Sequence, residues 1–159
     1  MALFKRKPAH RPPQTGVKSL SIPGDLAELA KVRDFVQETL RGLPLSDNDV
    51  FRVDLALVEI CVNIVLYAYP GEKGAIKVSS WLEPGRIYYE IRDSGRPFDP
   101  SRLKKPDLKE IMRTSRKGGF GIYLSRTMMD GFDYRREGEE NVLTLSKRLR
   151  RKAKQTLDR

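Results

Sequence analysis

Apolar positions recur along this chain with two periods, and these periods predict the order of its elements. Alternation of apolar and polar residues predicts strands, which lie at 17–22, 76–82, 87–93, 132–136 and 141–147. Apolar residues spaced by three and four predict helices, which lie at about 25–41, 46–69 and 120–130. Capping-box patterns begin the first two helices, one at Asp25 with Glu28 and one at Ser46 with Asp49. Gly131 is placed to end the last helix.

This order of elements predicts an α+β fold of two layers. A strand is followed by two helices, a hairpin, a long connection, a third helix and a second hairpin, so few strand pairs are joined by helical crossovers. The expected assembly is therefore a mixed, largely antiparallel sheet with the helices stacked on one face. The long connection, 96–117, is rich in proline and charge, and it is predicted to be a functional lid.

The folded domain is predicted to span residues 17–149. Prolines and basic residues predict a disordered arm over 1–16, and residues 150–159 form a basic tail. Of the net charge of +10, the first twenty residues carry +5 and residues 147–159 carry +6, so the body between them is close to neutral. Direct nucleic-acid binding is therefore not expected, although a nucleic-acid clamp formed by the two tails stays an alternative.

The cysteine and histidine content narrows the setting and the chemistry. Cys61 is the only cysteine, so no intramolecular disulfide can form and a reducing cytoplasm is expected. The longest apolar stretch, 53–69, is too short and too polar for a membrane span, and no secretory signal is expected at the N-terminus. The only histidine, His10, lies in the predicted arm, which excludes a histidine-based triad or a histidine-rich metal site inside the domain.

Two polar residues interrupt the most apolar helix. Glu59 and Asn63 are four positions apart, so their side chains lie on the same face. A plain solvated helix surface does not fit their apolar neighbours, and a buried glutamate is rare unless something pairs with it. The amide oxygen of Asn63 suits Mg²⁺, which accepts few protein ligands, and Glu59 could deprotonate an attacking hydroxyl or water.

A third polar residue, Asp93, comes at the end of a predicted strand. Strand alternation puts it on the covered face, where a carboxylate needs a donor such as the exocyclic amine of adenine. The alternative is an aspartate that only forms the turn before Ser94 and Gly95.

A glycine cluster, Gly118-Gly119-Phe120-Gly121, comes before the third helix. Glycine lets the backbone approach an anion closely, and the helix N-terminus behind it favours negative charge. Arg116 and Lys117 lie just upstream and could neutralise β- or γ-phosphate, or they could be solvated lid charges. The helix residues Glu59 and Asn63, the strand-end Asp93 and this cluster together predict a pocket for Mg²⁺-ATP.

In combination, these segments resemble the N box and the two glycine boxes of the GHKL ATPase superfamily, which unites gyrase, histidine kinases and MutL. They are more similar still to the anti-sigma factor serine kinases of bacteria. The matching stretches are Glu59-x-x-x-Asn63 with Tyr67-Ala68-Tyr69, Asp93-Ser-Gly-Arg-Pro-Phe-Asp-Pro100, Gly119-Phe-Gly-Ile-Tyr-Leu124 and Asn141-Val-Leu-Thr-Leu145. The resemblance covers residues 17–149.

This resemblance implies the Bergerat-type ATP-binding fold, with ATP and Mg²⁺ as cofactors. In the roles it implies, Glu59 is the catalytic base, Asn63 the Mg²⁺ ligand and Asp93 the residue that reads adenine. It also implies that Gly95, Gly119 and Gly121 are the glycines of the nucleotide pocket. The partners it implies are a small STAS-type antagonist phosphorylated on serine or threonine, a sigma factor that is sequestered, and a second copy of the chain.

Two positions depart from the family pattern. Tyr67 replaces the commoner histidine near the phosphate site, and Pro97 replaces a glycine of the wider superfamily and lacks a backbone N–H. Proline at this position argues against gyrase-like or histidine-kinase membership. The main hypothesis is an ATP-dependent serine/threonine kinase, and the alternative is a non-catalytic module in which bound ATP sets partner affinity.

Overall fold

The computed structural model describes residues 10–69, 74–99, 107, 109 and 120–151, with only the backbone of Phe120. The helices are α1 (Leu29–Leu40), α2 (Asp47–Asn63) and α3 (Phe120–Met128). The strands are β1 (Lys18–Pro23), β2 (Ala75–Glu83), β3 (Arg86–Asp93), β4 (Gly131–Glu137) and β5 (Glu140–Arg148). Most of the predicted lid lies outside the described residues.

The described strands form one sheet in the order β1-β2-β3-β5-β4, and each neighbouring pair is antiparallel. The register of β2 and β3 pairs Val78 with Ile91, as the predicted hairpin requires. The register of β3 and β5 places Asn141 directly opposite Asp93. The α+β prediction is confirmed, and the described pairings include no parallel one.

One hydrophobic core joins α1 and α2 to a single face of the sheet. It includes side chains from both helices and from alternate positions of β3 that are at most 1% exposed, namely Val32, Val36, Val53, Leu57, Ile87, Tyr89 and Ile91. Burial of one aliphatic side chain of this size contributes about 1.5–3 kcal/mol. The core therefore fixes α2 against β3, which are the two elements that carry Glu59, Asn63 and Asp93.

The helix ends agree with the sequence only in part. Ser46 caps α2 as predicted, because its hydroxyl accepts from the backbone N–H of Asp49 at 3.0 Å. Asp25 instead accepts from the N–H of Ala27 and begins a short 3₁₀ turn before α1, so the first capping box does not form as predicted. Gly131 is not a helix cap: it is the first residue of β4.

The outer face of the sheet carries an aromatic stack. Trp81 and Tyr88 face each other across β2 and β3, with ring centroids 5.4 Å apart. The His10 ring stacks on Tyr88 at 4.0 Å, and its Nε2 lies 2.7 Å from Oε1 of Glu83. Residues 10–16 form no helix or strand, yet His10 contacts the sheet. None of the described helices is long and apolar enough to cross a membrane.

Candidate functional site

The C-terminal end of α2 presents Glu59 and Asn63 together. The Asn63 side-chain Nδ2 donates to the backbone carbonyl of Glu59 at 2.7 Å. Because a carbonyl can only accept, this contact must come from the NH₂ edge of the amide, and Oδ1 lies on the opposite edge. Both residues are half-buried. The helix end therefore offers a carboxylate beside an oriented amide oxygen.

Gly121, in the first turn of α3, touches this pair. A Cβ added at Gly121 would collide with Oε2 of Glu59 and would lie 3.5 Å from Nδ2 of Asn63. Only glycine leaves room for both side chains at this approach. Ser125 holds the two helices together, because its hydroxyl contacts the carbonyls of Gly121 at 2.7 Å and Ala56 at 3.3 Å.

Asp93 lies on the covered face, as its strand position predicts, and is only 6% exposed. Its Oδ1 accepts from the backbone N–H of Gly95 at 2.9 Å and from Nδ2 of Asn141 at 3.0 Å. Burial, reinforced by the negative charge of Asp93, raises the pKa of the buried Cys61 thiol to about 12. Cys61 is therefore a buried neutral thiol, as expected of a small core residue.

After Asn63 the helix continues through one π-helical turn, Ile64–Ala68, which contacts the loop after Asp93. The carbonyl of Ala68 accepts from the N–H of Arg96 at 2.9 Å. A Cβ at Gly95 would lie 2.6 Å from that same carbonyl oxygen, so this position also requires glycine. π-Helical turns are frequent at functional sites. This one joins the α2 end to the Asp93 loop.

Tyr69 also binds the loop after Asp93. Its hydroxyl accepts from the backbone N–H of Ser94 at 2.7 Å and donates to the carbonyl of Ala75 at 2.9 Å. Burial raises the pKa of Tyr69, although the Ser94 N–H partly opposes the rise. The hydroxyl therefore stays protonated at neutral pH and bridges the two segments. The Tyr67-Ala68-Tyr69 stretch, singled out in the sequence, is thus the connection between two parts of the site.

A cavity of about 540 Å³ lies between these elements. Its walls include four aliphatic side chains, Ile60, Ile91, Ile122 and Leu143, and its polar lining includes Asn63 and Asp93. The volume and the few placed polar groups are typical of small-molecule sites. Glu59 and Gly121 do not line the cavity itself but adjoin Asn63. The cavity can hold a flat apolar ring between aliphatic walls.

The structure describes some of the predicted site residues and not others. The structure brings Glu59, Asn63 and Gly121 together. It places Asp93 in the lining of the adjoining cavity, and the N–H of Gly95 donates to the Asp93 carboxylate. Arg116, Lys117, Gly118 and Gly119 lie outside the described residues, as does the side chain of Phe120.

The sequence analysis matched the stretch that begins at Asn141 to the family but gave this residue of the last hairpin no role in the site. Asn141 contacts Asp93, and its Oδ1 accepts from the Tyr134 hydroxyl at 2.6 Å and from Arg136 at 3.1 Å. The available signal was an asparagine on the strand face that also carries Leu143 and Leu145.

The polar side chains of this site fit a Mg²⁺ ion that is coordinated mainly by water and substrate phosphates and by few protein atoms. Within the described part of the chain, no three or more histidine, cysteine, aspartate or glutamate residues form a group that could hold a metal ion. A dedicated all-protein cage is therefore not what these residues provide. Mg²⁺ keeps several waters and uses few protein ligands beside substrate phosphates, and the oriented Asn63 amide suits that role.

Comparisons with known proteins find named relatives of this chain. Proteins named Serine-protein kinase RsbW from Bacillus thuringiensis (strain Al Hakam) and Bacillus cereus (strain 03BB102) are each 27% identical over 115 residues. These alignments cover 70% of this chain and 72% of each relative. The RsbW of Bacillus cereus (strain G9842) is 28% identical over 115 residues, with the same coverage.

A solved structure has the same fold. The crystal structure of the RsbU and RsbW domains of a Mycobacterium tuberculosis protein matches with a TM-score of 0.61 and 19% identity. The match covers 87% of this chain but only 34% of that one, so this chain spans about a third of the solved chain.

A family model described as the histidine kinase-like ATPase domain matches residues 22–147, which is most of the chain and includes α2, β3, α3 and β5. The chain therefore belongs to the histidine kinase-like ATPase domain family.

Proposed function

We propose that this chain is an ATP-dependent serine/threonine protein kinase of the anti-sigma factor type. The observation that carries the proposal is the meeting of Glu59, Asn63 and Gly121 beside a cavity that also contains Asp93. Phosphoryl transfer from ATP can use three such groups: a carboxylate that activates the attacking hydroxyl, an amide that binds the metal, and a carboxylate that recognises adenine. The name of the relatives, Serine-protein kinase RsbW, supports the same reaction.

The adenine ring would occupy the apolar part of the cavity. Among the described residues, both hydrogen bonds that Asp93 accepts end on Oδ1, so Oδ2 is left to accept from the exocyclic amine. Ile60, Ile91 and Ile122 would cover the ring faces. The triphosphate would then extend toward Asn63, which lines the cavity at the C-terminal end of α2.

Glu59 is the proposed catalytic base. It would take the proton of a serine or threonine hydroxyl as that oxygen bonds to the γ-phosphorus and the bond to the ADP leaving oxygen breaks. Asn63 would hold Mg²⁺ through Oδ1, and the metal would neutralise the phosphate charge. Gly121 matters because it lets α3 approach Glu59 without displacing the carboxylate.

The glycine box and its basic neighbours complete the proposal. Arg116 and Lys117 would neutralise β- or γ-phosphate, and Gly118, Gly119 and Phe120 would form the backbone cradle at the start of α3. These five roles stay predictions of the sequence.

The partners follow from the same family resemblance. We propose a small STAS-type antagonist as the phosphorylated substrate and a sigma factor as the sequestered partner, with the chain acting as a homodimer in the cytoplasm. Phosphorylating the antagonist would release it and leave the sigma factor bound. Nucleotide and partner would together decide which complex forms.

The test combines the capture of partner proteins with a conservative substitution of the proposed catalytic base, Glu59. Full-length wild type and Glu59→Gln are used to capture partners from native cytosol with Mg²⁺-ATP, and captured proteins are analysed by phosphosite mass spectrometry. Glu59→Gln keeps the shape but removes the base, so phosphoryl transfer should fall about 10²- to 10⁴-fold while ATP affinity stays within about threefold. Glu38→Gln, on the exposed face of α1, is the matched control.

Each outcome separates one hypothesis. A small protein phosphorylated by wild type and by Glu38→Gln, but not by Glu59→Gln, supports the kinase. Captured partners that wild type leaves unmodified favour the non-catalytic ATP-binding module. Normal transfer by Glu59→Gln rejects Glu59 as the base. Unchanged ATP affinity in Asp93→Asn would show that the nucleotide does not bind in this cavity.

A further inference from the structure

Asn141 is a buried polar residue whose side chain makes several hydrogen bonds. It is the second residue of β5, lies opposite Asp93 in the β3–β5 register and is 6% exposed. Its side chain contacts groups from β3, β4 and the loop after β3. A buried amide is stable only when both of its edges are satisfied, so its contacts define a single orientation.

The oxygen edge of Asn141 is fixed by two donors from β4. The Tyr134 hydroxyl donates to Oδ1 at 2.6 Å, and the Arg136 guanidinium donates to it at 3.1 Å. Arg136 also donates to the carbonyl of Gly95 at 3.0 Å. Because a guanidinium can only donate, the amide cannot flip without placing its NH₂ group against Arg136.

The nitrogen edge of Asn141 therefore faces three acceptors. Nδ2 lies 3.0 Å from Oδ1 of Asp93, 2.9 Å from the carbonyl of Arg96 and 3.4 Å from the carbonyl of Gly95. The backbone N–H of Gly95 also donates to the same Asp93 oxygen. These two donors on Oδ1 hold the carboxylate in one rotamer.

We propose that Asn141 is a positioning residue that sets the base selectivity of the cavity. This inference rests on the proposed nucleotide binding. With Oδ1 held by Asn141 and Gly95, Oδ2 of Asp93 presents an acceptor to the cavity. An acceptor there matches the N6 amine of adenine and repels the O6 carbonyl of guanine.

The proposal explains why a neutral amide is needed at this position. An aspartate at 141 would have nearly the same shape, but it would place a second acceptor against Asp93 and against two carbonyls. The two carboxylates would repel each other, and Asp93 would lose its fixed rotamer. A rotated Asp93 no longer presents a fixed acceptor, so the discrimination between adenine and guanine falls.

The test measures the affinities of the full chain for fluorescent ATP and GTP analogues in the presence of Mg²⁺. For wild type we expect a clear preference for ATP. In Asn141→Asp and Asn141→Ala, ATP affinity should fall about 10- to 100-fold, the value of one hydrogen bond to a charged acceptor. GTP affinity should stay within about threefold, so the selectivity ratio collapses.

Thr144→Val is the matched control on the same strand. Thr144 is 4% exposed and contacts Arg135 on the outer face, away from the cavity, so this change can lower stability but should leave the ATP-to-GTP ratio unchanged. Thermal unfolding of each variant confirms that it folds. If Asn141→Ala does not fold, the isosteric Asn141→Asp carries the test.

The outcomes distinguish this inference from the function on which it rests. Wild type that binds neither nucleotide refutes the proposed function. Wild type that prefers ATP, with both Asn141 variants keeping the preference, overturns only the role of Asn141. Equal loss of ATP and GTP affinity also overturns it, because a merely structural residue would weaken both alike. A wild type without preference rejects base selection by Asp93 and Asn141 together.

Discussion

Alanine at Gly121 and alanine at Gly95 should both impair function, but only the change at Gly95 should also lower stability. Both glycines lie where an added Cβ would be too close to another group. At Gly121 the group is the end of the Glu59 side chain, whereas at Gly95 it is the backbone and Cβ of Ala68. A flexible side chain can move at little cost, but hydrogen-bonded backbone cannot. The pair therefore separates an effect on chemistry from an effect on stability.

For Gly121→Ala we expect lost activity with retained stability. The new methyl would displace Oε2 of Glu59 and lie 3.4 Å from its Cδ. Alanine favours a helix over glycine by up to about 1 kcal/mol, which offsets the crowding, so the free energy of unfolding should stay within about 1 kcal/mol of wild type. A catalytic group displaced by about 1 Å can cost about 10²-fold in rate, and we expect phosphoryl transfer to fall by that order.

For Gly95→Ala we expect lost stability and weaker nucleotide binding. The methyl would lie 2.5 Å from Cβ of Ala68 and 2.6 Å from its carbonyl oxygen, which already accepts from Arg96. Overpacking against a fixed neighbour costs about 1–3 kcal/mol. The loop that positions Asp93 must move, so ATP affinity should fall as well.

Urea unfolding and phosphoryl transfer, measured on the same preparations, test both expectations. Gly138→Ala is the control: its Cβ would meet nothing within 4 Å, but φ is +57°, so it should cost about 1 kcal/mol of stability without changing transfer. The reasoning is refuted if Gly121→Ala loses as much stability as Gly95→Ala. Normal transfer by Gly121→Ala would equally contradict the proposed role of Glu59.

Three further predictions concern groups outside the cavity. Burial, opposed by Arg33, raises the pKa of Asp54, and its Oδ1 is buried without a hydrogen-bond partner in the described structure. Ionising Asp54 in the folded protein therefore costs stability. This cost is absent below the ordinary pKa near 3.8 and grows as the pH rises through the raised pKa. In urea titrations, Asp54→Asn should therefore gain stability over wild type between about pH 4 and 7. Cys61, with its pKa near 12, should resist thiol reagents at about pH 8 until urea unfolds the protein, and rapid native labelling would contradict its burial. Trp81 is only 2% exposed, and the His10 ring stacks beside it. Deleting residues 1–16 removes this ring, so the fluorescence emission of Trp81 should shift to longer wavelength without loss of fold. An unchanged spectrum would show that the arm does not cover Trp81.

The sequence predicts those parts of the fold that depend on local periodicity. The alternation in 76–82 and 87–93 gives the correct hairpin and places Asp93 on the covered face. The contact between Asp93 and Asn141 joins residues 48 positions apart and depends on the β3–β5 register, which no local pattern determines. The error at Gly131 has a similar cause. This glycine fits closely against Ser146 across the sheet, and a helix cap and a crowded strand position both favour glycine.

Asp93 shows how a local role and a binding role can depend on each other. From the sequence, a turn-forming aspartate and an adenine-reading aspartate are alternatives, since either explains Asp-Ser-Gly after a strand. In the structure the turn is present, because Oδ1 accepts from the N–H of Gly95. That bond, together with the one from Asn141, occupies one oxygen and fixes the plane of the carboxylate. If Asp93 reads adenine as proposed, the turn makes its second oxygen the selective acceptor. A variant that breaks the turn should then lose base discrimination in the ATP and GTP binding assay along with the local fold.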